Sequence, residues 1–244
     1  MEYSKQRSSN KEATRIMKIR TPFLIVNPKS YLYGKQSLDL ALAADKIAEE
    51  TGIEMFFTCP FADIRYINEN TKNLIVTAQH MESLKPGRGM GHVLPESLKE
   101  AGAKAVFLNH AENPMTVAEL SKTIERAREL DIATIVCADS VAEAVAIAKF
   151  NPDIILAEPT ELIGTGQVAD NSYVIETTSK IREINPNILV MIASGVTTAE
   201  HVYNVIQLGA DGTGGTNGIL GAPDPKKRIE EWAQAMVKAV EDKK

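Results

Sequence analysis

Several polar side chains stand at or just behind the ends of short apolar runs. They are Asn27 and Lys29 after FLIV, Gln79 after LIVTA, Asn109 and His110 after AVFL, Glu158 after IILA, and Ser194 closing ILVMIAS. Together they hold a carboxylate, an imidazole, an ammonium and amide donors. Gathered around one small molecule, such groups carry proton-transfer chemistry: the carboxylate takes a proton, and the imidazole and ammonium steady the charge that develops. Each residue alone also has a structural reading, as a solvated loop lysine, a satisfied histidine or a glutamate capping a turn before Pro159. Their joint placement is what favours chemistry.

Two later segments suit anions. ASGVTTAE (193–200) sets a small-residue turn before a helix with Thr197 or Thr198 at its cap, leaving backbone N–H groups to face a phosphate. TNGILG (216–221) makes a second such turn.

These groups converge only if the elements beneath them place their ends together. From residue 22 onward, β-rich runs alternate with amphipathic stretches in which apolar residues recur every three or four positions. The runs fall at 23–26, 55–58, 74–78, 105–109, 133–138, 154–158 and 188–194, with a weak eighth near 211–215. Helical stretches such as SLDLALAADKIAEE, TVAELSKTIERARE, VAEAVAIAKF and PKKRIEEWAQAMVKAV lie between and after them. Eight such units predict a (β/α)8 barrel, with an open doubly wound sheet as the alternative, because spacing does not show closure. In both, ligands sit at the carboxyl ends of the strands.

The 244 residues suit one domain, since barrels of this class run to about 250 residues as single units. Residues 1–20 read as a disordered tail and 21–244 as a single barrel domain. A net charge of -5 supplies no basic field for nucleic acid, and no apolar run reaches the roughly 18 residues of a membrane span. Cys59 and Cys137 lie inside apolar runs and read as reduced core residues, which points to a reducing compartment such as the cytoplasm.

At this level of detail the chain resembles the triosephosphate isomerase family, in its shorter archaeal-type form. NPKSY resembles the family's Asn-x-Lys motif and AQHMESLKPGRGMGHVLPE its third loop. LNHAEN resembles its histidine motif, and EPTELIGTG its base and mobile lid. The resemblance covers nearly the whole chain from residue 22, and the last motif is the most specific. It implies the closed barrel and an aldose–ketose isomerase of glycolysis and gluconeogenesis, acting on a small phosphorylated sugar without metal or organic cofactor. Dihydroxyacetone phosphate and glyceraldehyde 3-phosphate are the leading pair, a four- or five-carbon ketose phosphate is the alternative, and a non-catalytic sugar-phosphate binder is a third reading. The roles come from the family and are not deduced from spacing: Glu158 as base, His110 as neutral electrophile, Lys29 as charge stabiliser, Asn27 as orienting amide and Glu112 as the acid behind them. Gly166, Ser194, Asn217 and Gly218 would hold the phosphate, Pro159 and Gly164 to Gly166 would end the lid, and the protein would be a homodimer or homotetramer.

The chain also departs from the family pattern. Ala111 stands where a serine follows the histidine, Met90 where the third loop offers a threonine to the neighbouring subunit, and Pro28 where a large apolar residue is usual. The stretch DGTGGTNGILG puts glycines at 212, 214, 215, 218 and 221 in place of aliphatic residues. That predicts a thinly filled barrel interior at the eighth strand, with room for a bulkier substrate.

Overall fold

A computed structural model describes residues 18–159, 170–193 and 195–243. Seven apolar runs rich in β-branched and aromatic residues form the strands β1 (Phe23–Val26), β2 (Glu54–Cys59), β3 (Leu74–Ala78), β4 (Ala105–Leu108), β5 (Ala133–Ala138), β6 (Ile154–Ala157) and β7 (Leu189–Ile192), and the glycine-rich GTGG forms β8 (Gly212–Gly215). Each pairs in parallel with its neighbours, and β8 returns to β1, so the sheet is a closed barrel and not an open doubly wound sheet. The weak eighth run is therefore a strand, held in register by Phe23 opposite Gly212 and Ile25 opposite Gly214.

Around the barrel run α1 (Gly34–Thr51), α2 (Ile64–Asn70), α3 (Pro95–Glu100), α4 (Val117–Glu129), α5 (Val141–Ala148), α6 (Asn171–Ile184), α7 (Ala199–Gln207), α8 (Asn217–Leu220) and α9 (Pro225–Glu241). Their starts are written locally. Thr116, Ser140 and Thr198 accept from the N–H three residues on, and Asp224 accepts from Lys226 and Lys227 ahead of Pro225. Such a cap contributes about 1 kcal/mol. α1 ends on Gly52 in the left-handed region (φ 70), whose N–H donates to Ala48.

Strand alternation divides the core into two layers. Leu24, Val26, Met55 and Phe57 point outward, with their counterparts on the other strands, into the shell shared with the helices, where Trp232 of α9 is fully buried. Phe23, Ile25, Phe56, Ile135, Ile154, Leu156 and Met191 fill the barrel interior. Each such fully buried side chain contributes roughly 1.5–3 kcal/mol.

Two of the three β8 glycines do not leave that interior thin, as their sequence had suggested, and only at Gly215 would a Cβ meet nothing within 4 Å. A Cβ on Gly212 would overlap the ring of Phe23, and one on Gly214 would overlap the Ile25 backbone. The missing side chains are replaced by β1, whose Phe23 ring packs edge-on against Phe56 at 5.4 Å. At the amino-terminal end, Ile19 packs under this cluster and the Arg20 Nε donates to Glu54 at 2.8 Å. The remainder of the expected tail lies outside the described residues.

Candidate active site

At the carboxyl ends of the strands a cavity of about 260 Å³ opens above a floor of Ile25, Phe107, Leu156 and Met191. Its walls carry Asn27, Lys29, His110 and Glu158 together with Gly195, Thr197, Asn217 and Gly218. The strand-end residues drawn from β1, β4 and β6, spread along the chain from position 27 to position 158, thus share one mouth.

Lys29 is held in an unusual backbone state. Its φ of 48° lies in the left-handed region, which costs a non-glycine residue on the order of 1–3 kcal/mol. Two bonds fix it there: its N–H donates to Asn27 Oδ1 at 2.9 Å, and its carbonyl accepts from Gln79 Nε2 at 2.8 Å. Thr216 Oγ1 donates to the Asn27 carbonyl at 2.7 Å, tying the segment after β8 to the one after β1. The Lys29 ammonium meets Glu112 Oε1 at 2.6 Å, and that contact holds the Glu112 carboxyl below its usual range.

His110 receives the N–H of Glu112 on Nδ1 at 3.1 Å. A ring nitrogen that accepts from a backbone N–H carries no proton, so the proton of the neutral imidazole sits on Nε2. Burial, with Lys29 adding to it, pushes the His110 pKa down and favours that neutral form. Glu158, half-buried at the end of β6 with its N–H donated to Ala138, is pushed the other way: burial raises its pKa and nearby Lys29 partly offsets the rise. A carboxylate made more basic therefore shares the mouth with an imidazole made less basic. That pairing can move a proton off carbon while a neutral donor polarises an oxygen.

The other wall is built of backbone. Gly195 adopts φ 67, Thr198 rather than Thr197 caps α7, and the Thr197 N–H is taken by His201 Nδ1 at 3.3 Å. Among the described residues, the N–H groups of Asn217 and Gly218 in the first turn of α8 have no acceptor and are open to an anion. Gly218 is required by close approach, since a Cβ there would run into the Val196 carbonyl and the Trp232 ring.

Two strand-end candidates belong to the scaffold instead. Gln79 supports the Lys29 carbonyl. Asn109 (φ 56) donates to the Cys137 carbonyl and Glu143 Oε1, both at 3.1 Å, and accepts from Met115. Both missed the main cavity because position behind a strand does not say which way a side chain points. Gly195, Thr197 and Thr216 line the cavity from the two turns that the sequence marks as suited to anions, and Gly215 joins them from the end of β8. Gly166, Ser194 and most of the expected lid lie outside the described residues.

Ala111 borders a smaller cavity of about 110 Å³ with Cys137 and Glu158. Cys59 and Cys137 are both free and buried, and burial lifts the Cys59 thiol to about 12 and Cys137 well above its usual value, so both stay protonated. Among the described residues no cluster of three or more His, Cys, Asp or Glu is placed to hold a metal ion, and no helix is long and apolar enough to cross a membrane.

The family model described as triosephosphate isomerase matches residues 22–224. Among curated proteins, the triosephosphate isomerase of Sulfolobus acidocaldarius is 34% identical over 227 residues, covering 91% of this chain and 98% of the relative. Those of Methanothermus fervidus and Methanocaldococcus jannaschii are each 35% identical, over 220 and 222 residues, covering 88% and 89% of this chain and 99% of each relative.

Proposed function

Because the chain belongs to the triosephosphate isomerase family, we propose that it interconverts dihydroxyacetone phosphate and glyceraldehyde 3-phosphate through an enediolate, with protein groups alone. The observation that carries this reading is the shared mouth of Glu158, His110 and Lys29.

Glu158 takes a proton from C1 of the ketose, and the electron pair moves onto the C2 carbonyl oxygen. His110 Nε2–H donates to that oxygen, and the Lys29 ammonium offsets its negative charge. The proton then returns to C2, while the imidazole passes hydrogen between the two oxygens and leaves an aldehyde at C1. These are the assignments of the family's own isomerases, supported here by the tautomer and the two opposed pKa directions. Asn27 orients Lys29, and Glu112 holds the ammonium between turnovers. Asn217 and Gly218, with Gly166 and Ser194, take the phosphate.

A cavity of about 260 Å³ lies below the roughly 300–1,000 Å³ of pockets for drug-sized ligands, which suits a small sugar phosphate. The four- or five-carbon reading keeps only part of its motive, because Phe23 and the Ile25 backbone occupy the space that Gly212 and Gly214 seemed to free, while Gly215, beside the cavity, leaves its space open. Purified protein should turn over glyceraldehyde 3-phosphate. Glu158→Asp, which withdraws the carboxylate by about 1 Å, should lower kcat about 100-fold. Equal, negligible turnover by both proteins would remove the reading and leave a non-catalytic binder.

We further infer a cytoplasmic homodimer or homotetramer. Met90, at the tip of the loop after β3, is 101% exposed, and Tyr31 and Tyr33 stand 66% and 69% exposed after β1, an apolar surface suited to a subunit contact. Sedimentation at assay concentration gives the state directly, and a monomer would rule this out.

A further inference from the structure

Arg228 stands in the first turn of α9 and lines no part of the main cavity, yet its guanidinium reaches both backbone segments of the anion wall. Nη1 donates to the Thr197 carbonyl in the turn after β7 and to the Gly218 carbonyl in α8 at 3.2 Å, while Nε donates to Glu231 Oε2 at 3.2 Å. One nitrogen therefore ties two segments that come from different strands. The same segments already touch, since Gly218 leaves no room for a Cβ against the Val196 carbonyl.

A carbonyl oxygen facing a phosphate would repel it, so an anion site made of backbone must turn its carbonyls away and hold its N–H groups forward. Arg228 donates to two of those carbonyls from outside the cavity. It also sets a formal positive charge behind the wall, a charge only partly offset by Glu231, whose carboxylate is 42% exposed. Arginine suits this task because its planar fork keeps several donors in fixed directions, whereas a lysine offers one rotating ammonium.

We propose that Arg228 is a positioning residue for the substrate phosphate, clamping the turn after β7 to the segment after β8 without touching substrate. The proposal rests on the reading that this wall takes the phosphate. Its signature is a split between substrates that carry a phosphate and those that lack one.

The experiment compares wild type, Arg228→Ala and Arg228→Lys for kcat/KM with glyceraldehyde 3-phosphate, for kcat/KM with phosphate-free glyceraldehyde, and for inorganic phosphate binding by calorimetry. Arg228→Ala should lose about 10- to 100-fold with the phosphorylated substrate and in phosphate affinity, with glyceraldehyde turnover changed less than about twofold. Arg228→Lys, and added guanidinium ion with the alanine variant, should each restore part of the loss. Equal losses with both substrates, or phosphate affinity retained in Arg228→Ala, would overturn the proposal. If the alanine variant does not fold, the lysine variant decides the same comparison. If wild type does not isomerise triose phosphate, the functional reading falls alone, and inorganic phosphate binding by the variants still decides the clamp.

Discussion

Two sets of residues line the cavity: a first side of Lys29, His110 and Glu158, ionisable groups carried by β1, β4 and β6, and a second of Gly195, Thr197, Asn217 and Gly218, from the segments after β7 and β8, none of which titrates. The first side is tuned by environment. Burial pushes Glu158 up and His110 down, and Lys29 is locked in a strained backbone state by Asn27 and Gln79. The second side is tuned by shape, through a left-handed glycine at 195 and a glycine at 218 that lets the chain approach Val196. Proton transfer needs groups whose affinity for a proton is adjusted, whereas holding a phosphate needs dipoles that stay fixed while the charge moves elsewhere. On the proposed function, one mouth serves both tasks by separating them.

The sharpest way to break this division is to remove the neutral donor from the first side. His110→Ala should lower kcat by about 100- to 1,000-fold, the usual cost of losing one donor to a developing oxyanion, and leave inorganic phosphate affinity unchanged. Stopped-flow or coupled assays with a phosphate competition series would check it, and a parallel loss of phosphate binding would mean the sides are not separate. On the second side, Gly218→Ala forces a methyl against backbone and the Trp232 ring, so it should cost about 1–3 kcal/mol of stability and weaken phosphate binding. Urea denaturation and competition by inorganic phosphate measure the two effects.

The smallest expected effect sharpens the account of the first side. Glu112 raises the pKa of both Glu158 and His110, so Glu112→Gln should let both fall. Activity needs Glu158 ionised and His110 neutral, and is lost as pH drops through those values. The acid limb of the kcat/KM profile should therefore move to lower pH in the variant, and a move to higher pH would contradict the assigned charges.

The same division explains what could be read from the chain. A charge directly behind an apolar run is conspicuous, so Lys29, His110 and Glu158 stood out, and the alternation of strands and helices led to the barrel. Yet the strand-end rule sees position and not direction, so it also chose Gln79 and Asn109, which brace Lys29 and the end of β5. The wall proposed to hold the phosphate is written largely in glycine and small residues, which mark a place where something is missing without naming what fills it. β8 misled for that reason: the ring that covers Gly212 belongs to Phe23, a cross-strand partner that no window of the local sequence contains. Arg228 gave no signal, because a helical arginine in PKKRIEEW has the look of an ordinary solvated charge.

The seam between β1 and β8 has a consequence for how the molecule is made. Thr216 bonds to the Asn27 carbonyl across 189 residues of chain, and the Phe23 ring rests against a strand that a ribosome produces long after β1. Until that stretch emerges, β1 keeps a raw edge and a bare aromatic ring, the kind of surface that recruits neighbours or chaperones. Closure of the barrel, and with it the finished cavity, waits until β8 has been made.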